Sequence, residues 1–600
     1  MQILHLSRIA ALVGFGLAAS GAYAQQAADA VAPEAATDQD VPAFEDLSGP
    51  ITASLAAKAA GEPVQGQEWM VSAANPLAVE AGAGILSRGG TAADALVAVQ
   101  TVLGLVEPQS SGLGGGAFLL WYDAETGKLT TLDGRETAPS AATPLLFQTE
   151  GEPMGFFEAV VGGRSVGVPG TPALLQDVHD RWGKLDWAPL FDPAITLARD
   201  GFKVSPRLSG LVVVGKARLR THPETAEYFL PGGFPLLPGR LLQNPAYADV
   251  LETLAAEGAQ AFYKGQIARD IVAAVQSVDN PGLLTVEDMA VYRVKERAPV
   301  CAAYRVYEVC GMGPPSSGAL TVGQILGMLS HFDLAALGPD SAEAWRLIGD
   351  ASRLAFADRG RYIADSDFVP VPSKGLLDPA YLAERARLLE SGTALDTVEP
   401  GKPSWDHAGL WGDGASPEQP STSHISIVDA YGNVASMTTT IENAFGSRVM
   451  VRGFLLNNEL TDFSFSAVDD GRPVANRVEP GKRPRSSMAP TIVMQDGAPV
   501  LAVGSPGGSR IIGYVAQAII AWADWGMNVQ KAVSMPHGVN RFGTFDLEGG
   551  TPVADLAGPL GEMGFEVETR LLNSGLHAIQ VGDGLEGGAD PRREGIALGR

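Results

Sequence analysis

The chain has 600 residues, 46% of them hydrophobic and 18% charged, an ordinary balance that permits a large buried core. Its formal net charge of −25 argues against sequence-independent nucleic-acid binding, which needs Lys and Arg to neutralise phosphates, and fits a soluble exported protein acting on small molecules. Its eight histidines show no metal-ligand spacing, so no metal and no other cofactor is expected. At the N-terminus, His5 and Arg8 precede an apolar stretch from Ile9 to about Gly21, and Ala22-Tyr23-Ala24 supplies small residues for a cleavage site. This pattern predicts a secretory signal peptide over 1–24 rather than a retained anchor, because the run is too short to span a bilayer. Secretion, to the periplasm in a Gram-negative source, follows. Residues 25–68 are rich in Ala, Asp, Glu and Gln with little periodicity and read as a poorly ordered leader, so the fold is expected to start near Met70.

From Asn75 the pattern reads helix, Gly89-Gly90, helix: Leu77, Val79, Ala83 and Ile85-Leu86 share a face, and Thr91 can cap the run through Leu105. The glycine-rich stretch Gly112 to Gly116 leads into the apolar strand Ala117 to Tyr122, a turn over Asp123 to Gly127 and a return strand Lys128 to Asp133. The middle, about 170 to 400, is mainly helical. Within it Cys301 and Cys310, the only two cysteines, bracket a strand-like segment; a bridge needs a turn between them, and two buried thiols are the preferred reading while a disulfide stays open. Residues 400 to 421 turn loop-like and form a candidate processing site. His424 to Val428 and Val434 to Thr440 then read as a hairpin, and Val500 to Val503 runs through Gly504-Ser505-Pro506-Gly507-Gly508 into a helix from Ile511 to Trp525.

A hydroxyl nucleophile at a chain terminus carries its own base, since a free α-amine has a reference pKa of about 7.7–8.0. Thr422, between the loop and the strand, sits where a backbone cut would place such a terminus at a sheet edge. Taken alone, Ser421-Thr422-Ser423 is ordinary loop-to-strand punctuation.

The surrounding motifs change that reading. Gln419-Pro420-Ser421-Thr422-Ser423-His424, Thr438-Thr439-Thr440-Ile441-Glu442-Asn443, Leu455-Leu456-Asn457-Asn458-Glu459 through Asp462-Phe463, Ser486-Ser487, Gly504 through Gly507-Gly508 to Arg510, Asp133-Gly134-Arg135-Glu136 and Pro314 through Gly318 together resemble the γ-glutamyltranspeptidase family, in order, over about residues 70 to 590. The resemblance implies an α+β fold, the αββα four-layer sandwich of N-terminal-nucleophile hydrolases. It also implies one precursor split into a large subunit, 69–421, and a small catalytic subunit, 422–600, that stay together as a heterodimer. Thr422 would attack the carbonyl of Ser421 during self-cleavage, then the γ-glutamyl amide of a donor such as glutathione. The γ-glutamyl ester would be resolved by water or by an amino acid or peptide acceptor; neither nucleic acid nor membrane is an expected partner.

The same resemblance assigns the roles. Thr440 should hydrogen-bond the nucleophile, and Gly507 and Gly508 should offer N–H groups to the oxyanion, which their missing Cβ allows. Arg135 should grip the substrate α-carboxylate with its planar fork, helped by Ser486 and Ser487. Glu442, Glu459 and Asp462 form an acidic set for the α-ammonium group. Three features depart from the pattern: Ser423 stands where a second Thr is common, Glu442 where Asn is frequent, and the lid segment Ser464 to Pro480 lacks Tyr. Rival readings are a cephalosporin or glutaryl acylase of the same superfamily, which would not need the three acids; a secreted serine hydrolase using Gly163-Arg164-Ser165-Val166-Gly167; and a non-catalytic periplasmic binding protein.

Overall fold

In the computed structural model, the described residues are 47–407, 411–414 and 421–600. The signal-peptide expectation for 1–24, the first part of the leader and residues 408–410 and 415–420 of the loop before Ser421 lie outside them.

Fourteen strands build two antiparallel seven-stranded sheets. In chain order they are β1 (Val64–Gly66), β2 (Met70–Ala73), β3 (Gly116–Asp123), β4 (Lys128–Gly134), β5 (Lys295–Arg297), β6 (Val300–Tyr304), β7 (Tyr307–Gly311), β8 (Ser423–Val428), β9 (Val434–Thr440), β10 (Thr491–Gln495), β11 (Ala498–Gly504), β12 (His577–Val581), β13 (Leu585–Ala589) and β14 (Ile596–Gly599). One sheet runs β14-β2-β8-β9-β3-β4-β5, the other β1-β13-β12-β11-β10-β7-β6. Their inner faces pack on each other, β8 and β9 against β11 and β12.

Helices cover both outer faces. α1 (Pro76–Ser87) and α2 (Ala92–Val106) lie on the first sheet; α3 (Gly318–Leu329), α4 (Ala342–Tyr362) and α5 (Ile511–Ala523) belong to the core of the second. The layering follows from strand periodicity: Ile425 and Ile427, like Leu119 and Trp121, join the helix-side core, whereas Val428, Phe118 and Leu120 point into the space between the sheets. This is the expected αββα sandwich. Thr91 caps α2 as read from the sequence, its Oγ1 accepting from the Asp94 N–H while the Asp94 carboxylate accepts from the Thr91 N–H.

Two expectations are corrected. Part of the leader is ordered: Gly49–Ala60 is a helix and β1 pairs with β13. The alanine-rich run is a good helix former with few apolar contacts of its own, and it is held by burial of Ile51 and by Ser54 Oγ donating to the Ala597 carbonyl (2.6 Å) on β14. The cysteines form a disulfide. A tight turn between β6 and β7 sets Cys301 directly opposite Cys310, with Cα atoms 4.0 Å apart, so the nine-residue separation is folded back on itself. No helix among the described residues is long and apolar enough to cross a membrane.

Candidate active site

The β8–β9 hairpin positions the proposed nucleophile. Ser423 is in register with Thr439, so Thr422, one residue earlier, faces Thr440, and their Oγ1 atoms are hydrogen-bonded at 3.0 Å. The Glu442 N–H donates to Thr440 Oγ1 (2.8 Å), fixing that hydroxyl from behind. Gly115 lets this corner close: a Cβ there would lie 1.9 Å from the Thr440 carbonyl oxygen.

Ser421 and Thr422, on either side of the proposed cut, are held from several directions. The Ser421 carbonyl accepts from the Gly507 N–H (3.1 Å), Ser421 Oγ donates to the Gln109 carbonyl (3.0 Å), and Arg593 Nη1 donates to the Thr422 carbonyl (3.1 Å). Thr422 itself has φ +86°, an unfavourable conformation for a β-branched residue that the surrounding bonds impose. Gly507 has φ +136°, and a Cβ on it would approach the Tyr514 ring to 2.8 Å, so the donor position excludes a side chain. A hydroxyl, a strained peptide and an N–H on its carbonyl are the parts of an acyl transfer.

The other end of the pocket is ionic. Arg135, fully buried on the segment after β4, pairs with both Glu459 and Asp462. Its Nε donates to the Pro484 carbonyl (3.2 Å) and Nη2 also to the Arg485 carbonyl (3.0 Å). Four of its five N–H groups are thereby engaged. Glu136 sits beside it, its carboxyl pushed well above the usual range by burial and by Glu459. Glu442 accepts from Asn458 Nδ2 at the boundary between the two ends.

Nine of the eleven expected site residues, Thr422, Thr440, Gly508, Arg135, Glu442, Glu459, Asp462, Ser486 and Ser487, line one pocket; the other two meet beside it, the Gly507 N–H donating to the Ser421 carbonyl. Met488 and Ile511 also line it and were not foreseen, nor were the contacts of Arg593 and of the Gln109 carbonyl with residues 421–422. Ser165 takes no part: it is buried in a short 3₁₀ turn and donates to the Val160 carbonyl (2.7 Å), which is not a strand-to-helix nucleophile turn. The segment 464–480 folds over as a small hairpin, Val468–Asp469 with Arg472–Pro473, with Phe465 stacked on Phe147 and Asn476 Nδ2 donating to the Asp462 carbonyl (2.7 Å).

Comparison with known proteins gives a consistent result. The family profile described as Gamma-glutamyltranspeptidase matches residues 78–600. The glutathione hydrolase proenzyme of Bacillus subtilis (strain 168) is 38% identical over 548 residues, covering 89% of this chain and 92% of that protein. The acylase ACY 1 proenzyme of Pseudomonas sp. (strain SE83) is 36% identical over 501 residues, covering 82% and 86%. Among solved structures, cephalosporin acylase from Bacillus halodurans superposes with a TM-score of 0.81 at 27% identity, covering 94% of this chain and 98% of that one.

Proposed function

The chain belongs to the γ-glutamyltranspeptidase family, and from that premise we propose that it is an exported proenzyme that cuts itself before Thr422 and then uses Thr422 as its nucleophile. It is an enzyme of the γ-glutamyltransferase and glutathione-hydrolase type. The observation that carries the mechanistic reading is the Thr422–Thr440 hydroxyl pair at 3.0 Å beside a carbonyl already bound by the Gly507 N–H.

In the first step Thr422 Oγ1 adds to the Ser421 carbonyl carbon, its proton passing to the amide nitrogen as the C–N bond breaks. An ester between Ser421 and Thr422 Oγ1 results, with the Thr422 amine free. Water then hydrolyses the ester, leaving a large subunit, 69–421 by the sequence boundaries, and a small subunit, 422–600. Release of the left-handed backbone at Thr422 favours this step.

In turnover the α-amine takes the Oγ1 proton as oxygen attacks the γ-amide carbon of the donor, and the leaving amine departs with that proton. The N–H groups of Gly507 and Gly508 stabilise the oxyanion. Glu442, Glu459 and Asp462 attract the α-ammonium group, their combined charge exceeding that of Arg135 alone. Ser486 and Ser487 donate to the α-carboxylate, with the remaining N–H of Arg135. Water, an amino acid or a peptide then resolves the γ-glutamyl ester.

The test is the intact mass of the purified protein, followed by incubation with a γ-glutamyl anilide. Two fragments, the smaller beginning at Thr422, with amine release are the expected result. Two fragments without release would transfer the assignment to the acylase reading, and a single uncut chain that releases amine would overturn the terminal-threonine mechanism.

A further inference from the structure

The turn that carries Arg593 is gripped by the leader. Residues 590–595 join β13 to β14, and from this turn Arg593 Nη1 reaches the Thr422 carbonyl (3.1 Å). Three backbone carbonyls of the turn, those of Asp590 (3.3 Å), Arg593 (2.8 Å) and Gly595 (2.7 Å), converge on Lys58 Nζ of the helix Gly49–Ala60. An ammonium group has three N–H donors, so each one has an acceptor here. Bonds donated by a cation are the stronger kind, and these fall on the main chain of Arg593 and on either side of it.

The leader is shaped for this contact. Ile51, Ser54 and Lys58 stand at i, i+3 and i+7, on one face of the helix. Ile51 is buried, Ser54 Oγ donates to the Ala597 carbonyl on β14, and Lys58 comes one turn later, over residues 590–595. Gly61, at φ +72°, ends the helix and turns the chain into β1, which pairs with β13 from Val64 opposite Gly587 to Gly66 opposite Leu585. The helix therefore lies on the strand after the turn, β1 lies beside the strand before it, and Lys58 holds the turn itself. Burial lowers the Lys58 pKa to about 8, with Asp590 and Glu594 pulling it up. The helix and β1 both precede residues 78–600, the part of the chain that matches the family profile.

We propose that Lys58 is a positioning residue for Thr422, acting through Arg593: by pinning the Arg593 main chain, the leader helix sets where the Arg593 guanidinium meets the Thr422 carbonyl and so holds the backbone at the proposed cut. This rests on the terminal-threonine reading above. The contact joins a helix upstream of the cut to a turn downstream of it, and neither is touched by the cut. The same brace therefore aligns Thr422 as the nucleophile in turnover.

A double-variant cycle on the full-length protein tests it, with self-cleavage of the newly translated chain timed by gel and kcat and KM measured for a γ-glutamyl anilide once cutting is complete. Lys58→Met keeps the stem and loses the charge and all three donors. It should slow cutting about 10- to 100-fold, the range for loss of a hydrogen bond to a charged group. It should also lower kcat about 10-fold and leave KM within about twofold, because Lys58 bears on Thr422 and not on the ionic end of the pocket. Arg593→Met should slow cutting at least as much, and the Lys58→Met/Arg593→Met pair should be no slower than Arg593→Met alone. A Lys58 that only stabilises the fold would lower the melting temperature with the cutting rate unchanged, or would add its loss to that of Arg593→Met; either result overturns the proposal, as does a raised KM with an unchanged kcat. Should Lys58→Met not fold, Lys58→Gln carries the same cycle, keeping two donors without the charge. A wild type that stays uncut yet releases amine would sink the terminal-threonine reading and this inference together, whereas a wild type that cuts itself, with an additive pair, sinks the inference alone.

Discussion

The two ends of the pocket are built on opposite electrostatic plans. Around Thr422 the groups that meet its hydroxyl and the Ser421 carbonyl are neutral, two hydroxyls and the Gly507 and Glu442 N–H groups, and the one cation, Arg593, sits on the far side, on the Thr422 carbonyl. Around Arg135 they are charged, with Glu459 and Asp462 ion-paired to a guanidinium that is completely buried. Neutral dipoles can be fixed in a dry site at little desolvation expense, so the reacting end is organised before any substrate arrives. Buried ions are costly unless matched, so the ionic end is stable only as a set.

Each end can be broken separately. The largest expected effect is at the neutral end: Thr422→Ala should abolish self-cleavage and lower amine release by at least about 10⁴-fold, seen as one uncut mass and a flat progress curve. An uncut yet fully active Thr422→Ala protein would refute the mechanism. Gly507→Ala comes next, because the added Cβ meets Tyr514 and displaces the donor to the Ser421 carbonyl; self-cleavage timed by gel should slow about 10²- to 10³-fold. Arg135→Ala attacks the charged end and should sharpen the contrast. It leaves two buried carboxylates without their cation, so the melting temperature should fall with a loss of about 3–5 kcal/mol and KM should rise about 100-fold, while self-cleavage proceeds. If Arg135→Ala blocked self-cleavage as completely as Thr422→Ala does, the two ends would have to be treated as one unit.

The sequence reached the reacting end more fully than the charged one, for physical reasons. Period-two strands and a capped helix are local patterns, and they placed β3, β4, β8, β9, α1 and α2 close to their observed limits. Thr422 opposite Thr440 follows from hairpin register once both strands are recognised. That Arg135 spends its donors on Glu459 and Asp462 depends on a fold-back of more than 300 residues, which no local pattern encodes. The helix Gly49–Ala60 buries only Ile51 and Ser54, too few for a visible stripe in the sequence. The disulfide is hidden from the sequence because the turn at residues 305–306 carries no Gly, Pro or Asn to announce it; Arg305 adopts φ +56° there.

The order of the first sheet has a consequence for the two-piece protein that the proposed cut would leave. β2, upstream of the cut, lies between β8 and β14, both downstream of it, and β9 pairs with upstream β3. A break before Thr422 therefore creates two chain ends without freeing either piece, since withdrawing one would unzip β2 along both edges and β3 along one. Unfolding, by contrast, would let the pieces diffuse apart, and refolding would become a second-order event dependent on concentration. The proposed cleavage would in this way convert a self-renewing equilibrium into a one-way lifetime: the cut enzyme would persist by how slowly it unfolds rather than by how readily it folds again.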